Sequence, residues 1–330
     1  MKPLATLILS GKDIASAMSM SDYIVAVEQA FAKWAGSGMH VPPVVHVAAP
    51  GGAFHVKSAA FREAPHYVAV KVNGNFPGNP QESGLPTIQG AILLADARNG
   101  SLLAVMDSTE VTAMRTGAAT AVAAKHLAPR RARTATVIGC GIQGRVQLLS
   151  LLEVFSLERV FVADADVSRA RRFAAALQVE SGCEVEAVED FATAAPHSEV
   201  IVTCTPARRA FLGSPHVSPG TFIAAVGADN GDKQEIEPEL MARSRVVVDS
   251  LDQCLEIGDL HHAVTAGAMS RDGVAAELGS VVAGKVDPHI SPEDIVVFDS
   301  TGVAIQDVSA AGVIYERCKA GGVGHSVALN

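Results

Sequence analysis

The chain has 330 residues, 48% of them apolar, and a formal net charge of -9 at neutral pH. That length suits two domains with sizeable cores better than one. The acidic balance argues against broad binding to nucleic acid, and no apolar run reaches the ~20 residues that a membrane-spanning helix needs.

The chain opens with MKPLATLILSGKDIASAM, where one lysine precedes a short apolar stretch that runs into charged sequence. This predicts a first strand rather than a secretory signal. Ser21 is placed to cap a helix whose apolar positions Ile24, Val27, Phe31 and Trp34 recur every three to four residues, with Gly36 and Gly38 ending it. Tyr67–Val72 and Ile88–Ala95 read as strands. Asn99-Gly100 is a hairpin turn signal, with Ser101–Met106 as the returning strand. The alanine-rich segment Thr109–Leu127 predicts a helix.

From about residue 130 the texture changes. Thr134–Gly139, Arg159–Ala163, Val200–Thr205, Thr221–Val226 and Arg245–Asp249 are short, apolar and largely β-branched, and helix-length segments separate them. That alternation predicts an α/β fold with a doubly wound parallel sheet. A last helix, Ala304–Ala320, is expected to pack back on the first region. The five cysteines are scattered, odd in number and without zinc spacing, which points to reduced thiols, no metal site and a cytoplasmic location. Adjacent histidines, His261 and His262, diverge in direction and read as surface or packing residues.

Gly139-Cys140-Gly141-Ile142-Gln143-Gly144 follows the strand TATVI and precedes a helical segment. Glycines at this spacing allow a tight turn, close approach of the backbone to a pyrophosphate, and close helix–strand packing. The helix N-terminus supplies N–H donors for phosphates. Asp164 lies about twenty residues on, placed to accept both ribose hydroxyls and repel a 2′-phosphate, which favours NAD(H). Arg169, Arg171 and Arg172 follow it and leave NADP(H) open. Thr205 and Pro206 end a later strand on the face where such folds bind nucleotides.

Two cations stand in unusual places. Lys71 interrupts the apolar strand AVKVNGN, and Arg115 interrupts the small-residue helix TAMRTGAATAV. A buried ammonium or guanidinium must face a carboxylate or a cleft, so each is either an internal ion-pair partner or a ligand for an acidic substrate.

In order along the chain stand KVNGNFPGNP, GLPTIQGAILLADARNGSLLAVMD, TAMRTGAATAVAAKHLA, VIGCGIQG, VGADNGDKQEI and FDSTGVAIQDV. Together they resemble the ornithine cyclodeaminase/μ-crystallin family over nearly the whole chain. The resemblance implies a homodimer and a Rossmann domain (126–303) inserted into a mixed substrate and dimerisation domain (1–125 with 304–330). It implies that Lys71 and Arg115 hold a substrate carboxylate, and that Asp229 transfers a proton, a role that asks for a buried carboxyl. Ser300 and Thr301 are implied beside the nicotinamide.

Two departures bear on the reaction. The arginine that often follows a Met-Pro-Pro run is replaced here by Val44 after Val41-Pro42-Pro43, and the cyclodeaminases' glutamate is missing before the lysine strand. Phe54-His55-Val56-Lys57 stands there instead, making Lys57 a candidate for the lost cation and His55 for the lost acid. The expected activity is NAD(P)H-dependent reduction of a small imino acid such as 1-pyrroline-2-carboxylate. The alternatives are ornithine cyclodeamination, an alanine-type dehydrogenase and a non-catalytic dinucleotide binder.

Overall fold

A computed structural model describes residues 5–329. The chain forms two compact units, dividing between Arg115 and Thr116 and again between Gly302 and Val303. The sequence boundary after residue 125 thus lies further along than the observed break, which falls inside the helix Ser108–Leu127. No glycine–proline punctuation marks it, because a helix can run through a change of unit unbroken.

The first unit is built on a mixed sheet. Its order is His325–Ala328, Ala5–Leu9, Leu102–Asp107, Ile88–Asp96, Tyr67–Asn75, Gly52–Phe61 and Met39–His40, with Val45–Ala49 also paired to Gly52–Phe61. All neighbours are antiparallel except Ala5–Leu9 with Leu102–Asp107. In Tyr67–Asn75 the odd-numbered residues Tyr67, Ala69, Lys71 and Asn73 are buried, as the two-residue strand period dictates for one covered face. The helices Met20–Ala35 and Ala304–Gly321 pack on each other, and the second also covers the sheet. The first is capped by Ser19, not Ser21. Ser19 and Asp22 close a reciprocal capping box, whereas the residue three after Ser21 is Ile24, which has no group to return the bond. At the predicted hairpin, Gly100 takes φ +75° and its N–H reaches the Asp96 carbonyl.

The second unit is a wholly parallel eight-stranded sheet. Its order is Glu184–Ala187, Arg159–Ala163, Thr134–Ile138, Val200–Thr203, Phe222–Ala225, Val296–Asp299, Arg245–Val248 and Ala276–Glu277. The chain winds outward from Thr134–Ile138 in one direction and then resumes on its other side at Val200–Thr203. That reversal is the place where open α/β sheets bind ligands, beyond the carboxyl ends of the strands.

Candidate active site

At the switch point a cavity of about 610 Å³ opens beyond the strand ends. Gly139, Gly141, Asp164, Arg169, Cys204, Thr205 and Pro206 are among the residues lining it. The three glycines serve distinct ends. Gly139 has φ +113°, and a Cβ there would come within 2.7 Å of the Cys204 carbonyl. A Cβ on Gly144 would run into the Gly139 carbonyl, so this glycine lets the helix Ile142–Leu152 sit close against the turn. Gly141 has open space on its Cβ side, where backbone N–H groups can meet a phosphate. Ile142 is 71% exposed at the helix start, and Gln143 is half-buried and accepts a bond from Gln147.

Asp164 is locked in place. One oxygen accepts the Cys140 N–H at 2.9 Å and the other the Asp166 N–H at 2.9 Å. Arg169 approaches it at 3.6 Å, and Arg171 is engaged elsewhere by Glu189 at 2.8 Å. The glycine geometry, the cavity and the oriented carboxylate fit a dinucleotide with a free ribose diol.

A buried acid that sequence reasoning passed over organises the neighbouring loops. One Glu235 oxygen accepts both the N–H and the hydroxyl of Thr205 at 2.7 Å, and the other accepts the Gly227 N–H at 2.8 Å. Glu235 therefore joins the cavity-lining turn at Thr205-Pro206 to the loop that carries Asp229. Asp259 accepts the N–H groups of Glu235 and Ile236, and Asp299 accepts that of Leu260. Burial pushes all three carboxyls up, Asp299 to about 7. Asp249 accepts the Thr301 hydroxyl at 2.9 Å and the Gly302 N–H at 2.6 Å, holding the Ser300–Gly302 turn. Ser300 and Thr301 are both buried, and the Ser300 N–H bonds to the Ala225 carbonyl.

Asp229 departs from expectation in one respect. Its side chain is 40% exposed rather than buried, and Lys233 pairs with it at 2.7 Å. Lys233 stands four residues on, a spacing visible in VGADNGDKQE. His261 and His262 bond to the backbone carbonyls of Leu255 and Lys233, and no metal-holding cluster exists among the described residues.

In the first unit, Lys71 and Arg115 converge. The Lys71 ammonium lies 2.8 and 2.7 Å from the two oxygens of Asp307, and Arg115 Nε lies 3.3 Å from one of them. Arg115 also donates to Gln306 Oε1 at 2.7 Å. Lys71 is 3% exposed, Arg115 5%, Asp307 2% and Gln306 is fully buried. The ion-pair reading of the two cations thus has its partner, Asp307, but two buried cations share that one acid. Burial, followed by the charges of Arg115 and Lys57, pushes Lys71 down to about 7 against the pull of Asp307. Lys71 and Arg115 hold Asp307 below its ordinary range although burial works the other way. Gln306 Nε2 has no hydrogen-bond partner among the described residues. An unpaired buried donor on the side chain that Arg115 engages is a ready seat for a carboxylate.

Lys57 stands directly across from Lys71 in the antiparallel ladder, and His55 directly across from Asn73. Both are half-buried. Asn73 is oriented by the Ser108 hydroxyl at 2.6 Å, and Gly90 opposite leaves room for its carboxamide, which a Cβ would strike.

Three solved structures resemble the whole chain. An archaeal alanine dehydrogenase dimer with bound NAD is 36% identical, with a TM-score of 0.94 covering 99% of this chain and 100% of that one. The Δ1-pyrroline-2-carboxylate reductase of Thermococcus litoralis, in complex with NADH and L-proline, is 32% identical, with a TM-score of 0.93 over 98% and 100%. The iminosuccinate reductase of Paracoccus denitrificans, in complex with NAD+, is 34% identical, with a TM-score of 0.89 over 98% and 99%. The family model of the ornithine cyclodeaminase/mu-crystallin proteins matches residues 5–322. With the glycine turn, the parallel sheet and the sequence segments in place, the chain belongs to the ornithine cyclodeaminase/mu-crystallin family.

Proposed function

We propose that this protein is an NAD(H)-dependent reductase of a small imino acid, acting at the α-carbon. The observation that carries the reading is the pair of buried cations, Lys71 and Arg115, sharing the single carboxylate of Asp307. Taking cations out of water is costly unless anions compensate, and a substrate carboxylate completes the balance. Arg115 and Lys71 bind it and Gln306 Nε2 donates to it, so the adjacent C=N carbon is fixed in position, and much of a rate enhancement can come from such positioning. Bound NADH would supply the hydride. The imine nitrogen takes a proton, and Asp229, kept accessible and oriented by Lys233, is the group that relays it, directly or through water.

A reductase needs no acid to manage a second amino group, which agrees with His55-Val56-Lys57 standing where the cyclodeaminases carry glutamate. The likeness to an alanine dehydrogenase supports a second reading, in which free ammonia supplies the nitrogen. NADH oxidation with 1-pyrroline-2-carboxylate, and with pyruvate plus ammonium, tests both. Rapid ammonia release from ornithine with catalytic NAD+ would replace them by cyclodeamination. Tight NADH binding without turnover of any imino acid would leave only a binder. Arg115→Ala is expected to lose most activity while keeping NADH binding.

The reading includes a homodimer. The sheet face opposite Lys57 and His55 carries Val45, Val47 and Phe54, all exposed. Alternation places these three together, because Val47 pairs with Phe54 and Val45 with Val56. An exposed apolar patch of this kind is covered in a stable assembly. Light scattering should give a dimer mass, and Val47→Asp with Phe54→Asp should halve it. Among the described residues no helix is long and apolar enough to cross a membrane, and all five cysteines are free, in keeping with a reducing cytoplasm.

A further inference from the structure

The strand of Lys71 carries a second buried polar residue with no part yet in the reaction. Asn73 is 8% exposed and lies two residues beyond Lys71, on the same face of the sheet. Ser108, fully buried, donates its hydroxyl to Asn73 Oδ1 at 2.6 Å. That bond orients the carboxamide and leaves Nδ2 on its other branch. Among the described residues Nδ2 has no hydrogen-bond partner. A buried amide donor without an acceptor is costly, so a ligand oxygen placed there gains a contact that the protein alone does not satisfy.

The surroundings are shaped for this side chain. Gly90 stands opposite Asn73 in the ladder, and a Cβ there would come within 2.4 Å of Oδ1. The helix that covers Lys71 ends short of Asn73. Tyr67 packs against Gly312 and Lys71 bonds to Asp307, so strand and helix run in opposite directions. Asn73 lies roughly 7 Å past Lys71 along the strand. The helix Ala304–Gly321 begins only three residues before Asp307, roughly 4.5 Å of rise. A second helix, Ser108–Leu127, serves both strand residues. Ser108 and Arg115 are seven apart, about two turns, and share one face of it. It brings Ser108 to Asn73, and Arg115 to the acid that Lys71 holds.

We infer that Asn73 is a substrate-binding residue, its Nδ2 donating to one oxygen of the α-carboxylate whose other oxygen lies on Lys71 and Arg115. The inference rests on the imine-reduction reading and adds to it the donor that sets the plane of the carboxylate. The spacing suits the role, because a carboxylate with a hydrogen bond of about 2.9 Å on each oxygen bridges two donors set that far apart along a strand. An α-imino carboxylate is conjugated and flat. Fixing the carboxylate plane therefore fixes the C=N plane and the face that hydride reaches. Ser108 acts through Asn73, as a positioning residue.

The test measures kcat/KM for 1-pyrroline-2-carboxylate with NADH in wild type, Asn73→Ala, Asn73→Asp and Ser108→Ala. Asn73→Asp keeps the acceptor for Ser108 and turns the donor into a charge that repels the carboxylate. The value should fall roughly tenfold in Asn73→Ala and roughly a hundredfold in Asn73→Asp, with NADH titration unchanged. Ser108→Ala should lose less, and should lose nothing further when added to Asn73→Ala. A purely structural role predicts the opposite order, with Asn73→Asp the milder variant. That order, or an Asn73→Ala value within about twofold of wild type, overturns the inference while imine reduction stands. Wild-type protein that binds NADH yet turns over neither 1-pyrroline-2-carboxylate nor pyruvate with ammonium overturns the imine-reduction reading and the inference with it. A readout free of nucleotide is the thermal shift by pyrrole-2-carboxylate, a planar carboxylate of similar shape. It should stabilise wild type and not Asn73→Asp, and equal shifts count against the contact.

Discussion

Glu235 takes the Gly227 N–H at 2.8 Å with one oxygen while the other holds Thr205 at 2.7 Å. A single fully buried side chain thus fixes the end of one parallel strand against the end of another. The first of these ends continues into Asp229 and the second into the cavity wall. Glu235→Gln replaces one acceptor oxygen with a donor that faces an N–H. Losing a charge-assisted bond and stranding a buried donor costs about 1–3 kcal/mol. NADH binding, followed by fluorescence titration, should weaken by roughly tenfold to a hundredfold. Unchanged affinity would show that the Thr205 turn holds its place without Glu235.

Lys71 titrates near 7 because burial, helped by Arg115 and Lys57, opposes its charge. A lysine with a depressed pKa is charged below that value and neutral above it. The reductive kcat/KM should therefore fall as pH rises through about 7. Once a carboxylate is bound the ammonium is favoured, so the kcat limb should lie higher. Lys71→Arg retains a charge at all working pH values and should remove the limb while lowering activity. A wild-type profile flat from pH 6 to 9 would remove Lys71 from the carboxylate site.

Asp164 is oriented by two backbone N–H groups, and Arg169 is held 3.6 Å from it. The wild-type protein is expected to prefer NADH over NADPH by about tenfold or more, as fixed negative charge meets a 2′-phosphate. Asp164→Ser removes the charge and releases Arg169, so the preference should shift towards NADPH by about tenfold. Paired kcat/KM values for the two cofactors read this directly.

Asp299 lies buried near Asp249 and Asp259, and burial, reinforced by Asp249, raises it to about 7. The folded protein then binds a proton that the unfolded chain releases near 4. Its contribution to stability is full below that value and is lost as pH rises through about 7. The melting temperature should fall by a few degrees between pH 5.5 and 8, and Asp299→Asn should flatten that slope. A melting temperature that rises across this interval would contradict the assignment.

Much of the architecture was legible because it follows local rules. The β-branched runs became parallel strands with ends shifted by a residue or two, and the glycine turn follows the first of them. Ser19 displaced Ser21 as a cap through a carboxylate three residues away, a local signal that was overlooked. The acids around the candidate site were less accessible. Asp307 lies 236 positions from Lys71, and no periodicity links a strand lysine to a helix aspartate that far along. Glu235 looks like an ordinary strand-end acid in DKQEI. Its burial comes from the close approach of two strand ends, visible only once the sheet is assembled.

The helix bearing Asp307 closes the first unit from the far end of the chain. During synthesis, Lys71 and Arg115 leave the ribosome long before the carboxylate that neutralises them. The nascent sheet must stay open and hydrated at those positions until residue 307 has been made. A chain cut short before residue 304 would lack both the covering helix and the counter-ion, so the first unit stays unsealed and unbalanced in charge until that helix has been added.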